Sequence, residues 1–212
     1  MTVEIRDDEK YYVYVTFFTT NTYMGKLIRF STRNQYSHVT ISFDASLSKM
    51  YSFARYHINS PISGGFVVEE PERYLNNNGD VQIKLCKIPL EKDEYHRMVK
   101  EFTYFQENKE QMLYNTLNAV LSLLKIKLSM KDSYTCLEFV AYLLHMNNIH
   151  AIRELERRLD QYLVYTGSFR EIVKKNMETK KEDEYFMKRH RIGVVTDTVF
   201  HFQKIMLRLI RA

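Results

Sequence analysis

The hydrophobic period of this chain changes once, near Leu90, and that change limits the folds available to it. Before it, apolar residues alternate or run in short aromatic and β-branched blocks; after it, they recur at helical spacing. Tyr11–Thr19 (YYVYVTFFT) reads as a buried strand, and Tyr36–Asp44 (YSHVTISFD) as a second. Lys49–Tyr56 (KMYSFARY) reads as a third, and Gly64–Pro71 (GGFVVEEP) as a fourth, entered through two glycines and stopped by proline. After the turn signal NNNGD, Val81–Leu90 (VQIKLCKIPL) makes a fifth. Tyr95, Met98, Phe102 and Phe105 then fall on one face of a helix over 91–111. Further helices are expected over 113–126, 131–148 and 150–165, the last broken by Gly167. The expectation is an α+β fold: an antiparallel sheet of about five strands packed on helices. Residues 1–165 form the main domain and 166–212 a helical, charged extension.

At 212 residues and 45% hydrophobic, the chain suits one domain with an appendage and has ample material for a core. No run of about 18 apolar residues is present, and MTVEIRDDEK lacks the apolar region of a secretion signal. The two cysteines, Cys86 and Cys136, form no C-x-x-C pattern and read as free thiols of a reducing, cytoplasmic setting. The net charge of +5 is spread among acidic residues, so nucleic acid is not an expected partner. Neither a Gly-rich phosphate loop nor a metal-ligand spacing occurs, and neither cofactor nor metal is expected. Thr196–Ala212 (TDTVFHFQKIMLRLIRA) puts Val199, Phe202, Ile205, Met206 and Leu209 on one helical face, with Lys204, Arg208 and Arg211 off it. Such a helix either packs on the body or rests on an anionic membrane surface, which would make the protein membrane-peripheral.

Two residues suggest chemistry. Cys136 falls in the first turn of its expected helix, with Asp132 or Ser133 as the cap. Unpaired backbone N–H groups and the helix dipole favour an anion at that position, whether a thiolate or the oxyanion of acyl transfer. The other reading is a small buried hydrophobe. Cys86, within a strand between Lys84 and Lys87, reads as structural. A reactive cysteine needs an imidazole to take its proton. Of seven histidines, His38 alone sits on a strand whose other side, Val39, Ile41 and Phe43, is core.

YSHVTISF, the following MYSF strand, and the later SYTCLEFVAYLL resemble the circularly permuted branch of the papain-like NlpC-type cysteine hydrolases. That branch includes the lecithin:retinol acyltransferase-like proteins and the bacterial YiiX-like group. The resemblance covers about residues 10–145. It implies a permuted papain-like fold with Cys136 as nucleophile and His38 as general base. It also implies a third polar residue on the strand after the histidine, and MYSF puts Ser52 there. This departs from the His, Asn, Gln, Glu or Asp more usual in the family, since a hydroxyl orients an imidazole less firmly than a carboxylate. Glu69 on the next strand is the alternative orienting residue. Tyr134, two residues before the cysteine, stands where the permuted group often has an aromatic, and its hydroxyl is a candidate aid to the oxyanion. The implied activity is a thiol hydrolase or acyltransferase that cleaves an amide or ester of a peptide or lipid-like acyl substrate through an acyl-enzyme. The alternative is an idle papain-like domain that binds a membrane surface or another protein.

Overall fold

A computed structural model describes residues 10–20, 22, 25–26, 29–30, 34–75, 80–121, 130–173 and 184–210. The turn at NNNGD and most of the charge-dense stretch 174–191 lie outside them. The five expected strands are present as β1 (Tyr11–Phe18), β2 (His38–Ser42), β3 (Met50–Arg55), β4 (Gly64–Glu69) and β5 (Gln82–Leu90). A sixth, β8 (Leu163–Ser168), joins them, and the sheet runs β4-β3-β2-β1-β5-β8 with every pair antiparallel. Two further strands of two residues each, β6 (Leu113–Tyr114) and β7 (Ser133–Tyr134), pair in parallel outside it.

Alternation along the strands builds two cores. Val13, Val15 and Phe17 of β1, Val39 and Ile41 of β2, and Phe53 and Phe66 of β3 and β4 enter the larger one. It is completed by α2 (Lys92–Glu107) through Met98, Phe102 and Phe105, by α4 (Cys136–Leu143), and by α5 (Ile152–Leu159). Phe18, Met50, Ile83 and Leu85 point the other way. They form a smaller core with Tyr74 and Leu75 of α1 (Glu72–Leu75) and Phe169 and Val173 of α6 (Phe169–Val173). The central strands are therefore buried on both faces, and this is why β1 reads as a continuous aromatic and β-branched run. Phe53 is fully buried, ringed by Phe66, Phe105, Tyr134 and Phe139 at 5.2–6.0 Å between centroids.

Three expectations change here. The helix expected to reach 165 ends at Leu159; one 3-10 turn follows, and the chain then enters β8 against β5. The division at 165/166 therefore falls inside a strand of the main sheet, and α6 after it belongs to the smaller core. Helix formation after Leu113 is delayed by β6, and α3 begins at Thr116. The last helix, α7 (Arg191–Ile210), is longer than its sequence pattern suggests, and it turns Ile205 inward with Leu113 and Met130, while Val199, Phe202 and Met206 stay exposed.

Candidate active site

His38 opens β2 opposite Phe18 of β1, and its side chain lies on the same sheet face as Ser52 and Glu69. Its Nε2 is 2.9 Å from Glu69 Oε1. The Cys136 side chain is close enough to act electrostatically on the ring. Cysteine, histidine and carboxylate are thus brought into one neighbourhood from positions 136, 38 and 69.

Glu69 ends β4 and is 1% exposed. A charge in that position is tolerated only when it is fully partnered. Oε1 accepts from His38 and from the Ser52 hydroxyl; Oε2 accepts from the Tyr74 hydroxyl and faces Arg73 Nε at 3.5 Å. Burial alone would raise this carboxyl, but His38 and Arg73 together hold it well below the usual carboxylate range. The same pairing acts on the imidazole. Burial disfavours its charge, the Glu69 anion and Cys136 outweigh burial, and its pKa rises from 6.5 to about 10.

The carboxylate that contacts the ring is therefore Glu69. Ser52 is fully buried one step behind it, with its hydroxyl on the carboxylate. The expectation that Ser52 itself steadies the ring is corrected. A serine side chain is too short to span from β3 across to the imidazole, whereas a glutamate at the end of β4 reaches it.

Cys136 is the first residue of α4, as its sequence position suggests, but the cap is Thr135 rather than Asp132 or Ser133. Thr135 Oγ1 accepts from Glu138 N at 3.2 Å, and Glu138 Oε2 accepts from Thr135 N at 2.8 Å, which makes a capping box. Thr135-x-x-Glu138 is the sequence signal that identifies it. The box takes up one first-turn N–H, and the first helical bond runs from Phe139 N to Thr135 O. The N–H groups of Cys136 and Leu137 have no acceptor within the helix and point along the dipole.

Tyr134 packs its ring among Phe53, Phe105 and Tyr142. Burial pushes its hydroxyl up to about 12, with Tyr142 and Asp132 adding to the effect. The Cys136 charge acts on Tyr74 and on Tyr114, the latter pairing with Tyr134 across β6 and β7. Burial raises Tyr114 well above the tyrosine range; the Cys136 charge adds to this, and Arg55 opposes it. A two-residue strand has no period to read, so Tyr114 carries no local signal.

The other thiol is set apart. Cys86 is fully buried in β5, and burial pushes it up to about 11 although Lys84 opposes this. Both cysteines are free. Among the described residues no group of three His, Cys, Asp or Glu side chains is placed to hold a metal.

The 184–210 segment supports the site from outside. Tyr185 accepts a hydrogen bond from Arg55 at 3.0 Å and lies under the Arg73 guanidinium at 4.1 Å. His201 Nε2 reaches the Tyr114 carbonyl at 3.1 Å. Arg208 donates to the carbonyls of Lys131, Asp132 and Gln111 and to Ser133 Oγ, tying the approaches to β6 and β7 together. A groove of about 670 Å³ runs between β4 and this segment, lined by Tyr56, Phe66, Arg73, Tyr185 and Phe200 among others. Arg73, which faces Glu69, lines this groove, whereas Cys136, His38 and Glu69 do not. Compared with protein-family models, with curated proteins and with solved structures, the chain matches none.

Proposed function

We propose that this chain is a thiol hydrolase or acyltransferase that acts on an amide or ester through a cysteine acyl-enzyme. One observation carries the reading: a half-buried imidazole bonded to a fully partnered carboxylate and influenced by the charge of a helix-N-terminal thiol. The order of the residues, histidine before cysteine, is that of the permuted papain-like resemblance, and an antiparallel sheet packed on helices is compatible with it.

In this mechanism His38 takes the Cys136 proton and becomes an imidazolium, whose charge Glu69 stabilises. The thiolate attacks the acyl carbon, and the carbonyl electrons move to an oxygen facing the N–H groups of Cys136 and Leu137. The tetrahedral intermediate collapses to a thioester as His38 gives its proton to the departing amine or alkoxide. Water, or an acceptor alcohol or amine, then loses a proton to His38 and attacks the thioester, and the acyl group leaves as Cys136 regains its proton.

The idle-module alternative drew its weight from serine at the third position, and the Glu69 carboxylate removes that reason. Free thiols at both cysteines fit a reducing compartment. The test is iodoacetamide labelling near pH 7, followed by mass spectrometry of the two cysteine peptides. Cys136 should react far faster than Cys86, and His38→Ala should abolish the difference. Equal, slow labelling of both thiols in the folded protein would return the chain to the idle-module reading.

A further inference from the structure

The last helix carries its polarity inside out. Its charged residues after Arg191, which are Asp197, Lys204 and Arg208, lie on the half-buried side with His201 and Ile205. Asp197 is paired with Arg189, and Arg208 is bound to the approach to β7. The outward side holds Ile192, Val195, Val199, Phe200, Phe202, Met206, Leu207 and Ile210, each between 40% and 78% exposed. Only Thr196 and Gln203 interrupt them. At 3.6 residues per turn the apolar arc spans about 160°. It leaves on the order of 800 Å² of apolar surface open, above the ~300–600 Å² of the largest patch on a typical monomer.

We propose that this face of α7 docks on an anionic lipid surface, with the helix lying in the interface. Two observations select that occupant. The arc is broader than the narrow seam that one partner helix covers, while a plane covers all of it. Its two rims are cationic: Arg191 borders Phe202, and Lys204 borders Phe200, with Nζ 4.5 Å from the ring centroid. Residues 187–212 hold six lysines and arginines against one aspartate. Anionic headgroups complement those rims, whereas a second copy of the chain brings the same cations to the same edges. Docking lies on the membrane and does not cross it, since no helix among the described residues is long and apolar enough to span.

The test is flotation of the full chain with phosphatidylcholine vesicles, with and without 30% phosphatidylglycerol. The expected result is at least tenfold more protein on the anionic vesicles, falling as salt is raised. Val195→Glu with Val199→Glu, both on the exposed arc, should cut that binding at least tenfold while circular dichroism and monomeric mass stay unchanged. Cys136→Ser should bind as well as the unaltered chain, which separates this proposal from the thiol chemistry. Failure to float with either vesicle overturns it, whether the protein is monomeric or forms a dimer that the double variant splits. Equal binding by the double variant overturns it as well.

Discussion

Replacing Glu69 by glutamine keeps the volume of the side chain and removes its charge. In the folded protein, Glu69, itself buried, holds the half-buried His38 through a hydrogen bond of 2.9 Å, and it also takes up Ser52, Tyr74 and Arg73. After the substitution the imidazole has at best a neutral acceptor, and Arg73 is left near it with no anion between them. Trading a buried charge-assisted hydrogen bond for a neutral one costs about 2 kcal/mol of imidazolium stability, or roughly 30-fold. The population of thiolate–imidazolium pairs should fall by that factor. Competitive iodoacetamide labelling at pH 6.5 reads it directly, because Cys86, held up to about 11 by burial, is an internal standard in the same molecule. The expected outcome is a Cys136 rate at least 30-fold lower, with an unchanged circular dichroism spectrum. An unchanged Cys136-to-Cys86 ratio in the folded variant would refute the role given to the carboxylate.

Ser52→Ala removes one donor from Glu69 and leaves the imidazole contact intact, so the same assay should show a loss of only about fivefold, from ~1 kcal/mol. A loss as large as that of Glu69→Gln would return Ser52 to direct contact with the ring. The His38 pKa lies above its unfolded value, so its contribution to stability is complete below about pH 6.5 and is lost as pH rises toward about 10. The Glu69 pKa lies below its unfolded value, so its contribution is complete above about pH 4.5 and is lost as pH falls. Thermal midpoints should therefore be highest between those limits, and His38→Ala should flatten the alkaline decline; an undiminished decline would contradict the pairing. Thr135→Ala deletes the cap of α4 and should cost about 1 kcal/mol in urea melts. Phe53→Ala, at the centre of the aromatic cluster, should cost about 3–5 kcal/mol by the same measure.

What the sequence disclosed followed from burial. Strands β1 to β5 carry their pattern because their side chains alternate into the two cores, and His38 was legible because Val39 and Ile41 fix which way it points. The sixth strand was hidden because it is an edge: Leu163 and Val164 are 44% and 55% exposed, so pairing with β5, not a hydrophobic face, decides its conformation. The carboxylate was visible only as a substitute. Glu69 stands among Glu70 and Pro71 in sequence and looks like a solvated strand end. It is the register of β4 on β3, with Glu69 opposite Met50, that turns it inward toward Ser52 and His38. The C-terminal helix was legible as amphipathic, but not in which face is inward. Leu113 and Met130 recruit Ile205, and the carbonyls of 131 and 132 recruit Arg208, contacts that no local pattern announces.

Arg208 also sets an order of events during synthesis. The segment that delivers Cys136 to His38 has two carbonyls and a hydroxyl bound by a guanidinium 72 positions further along the chain. At ~5–20 residues per second, a ribosome needs about 4–14 s to make the intervening residues. Through that interval the nascent chain already holds the thiol, the imidazole and the carboxylate. The clamp that fixes the approach to Cys136 is still missing, and water occupies those acceptors instead. The approach to Cys136 is thus braced only once residue 208 has been added, and a chain stalled short of it has the three groups without that brace.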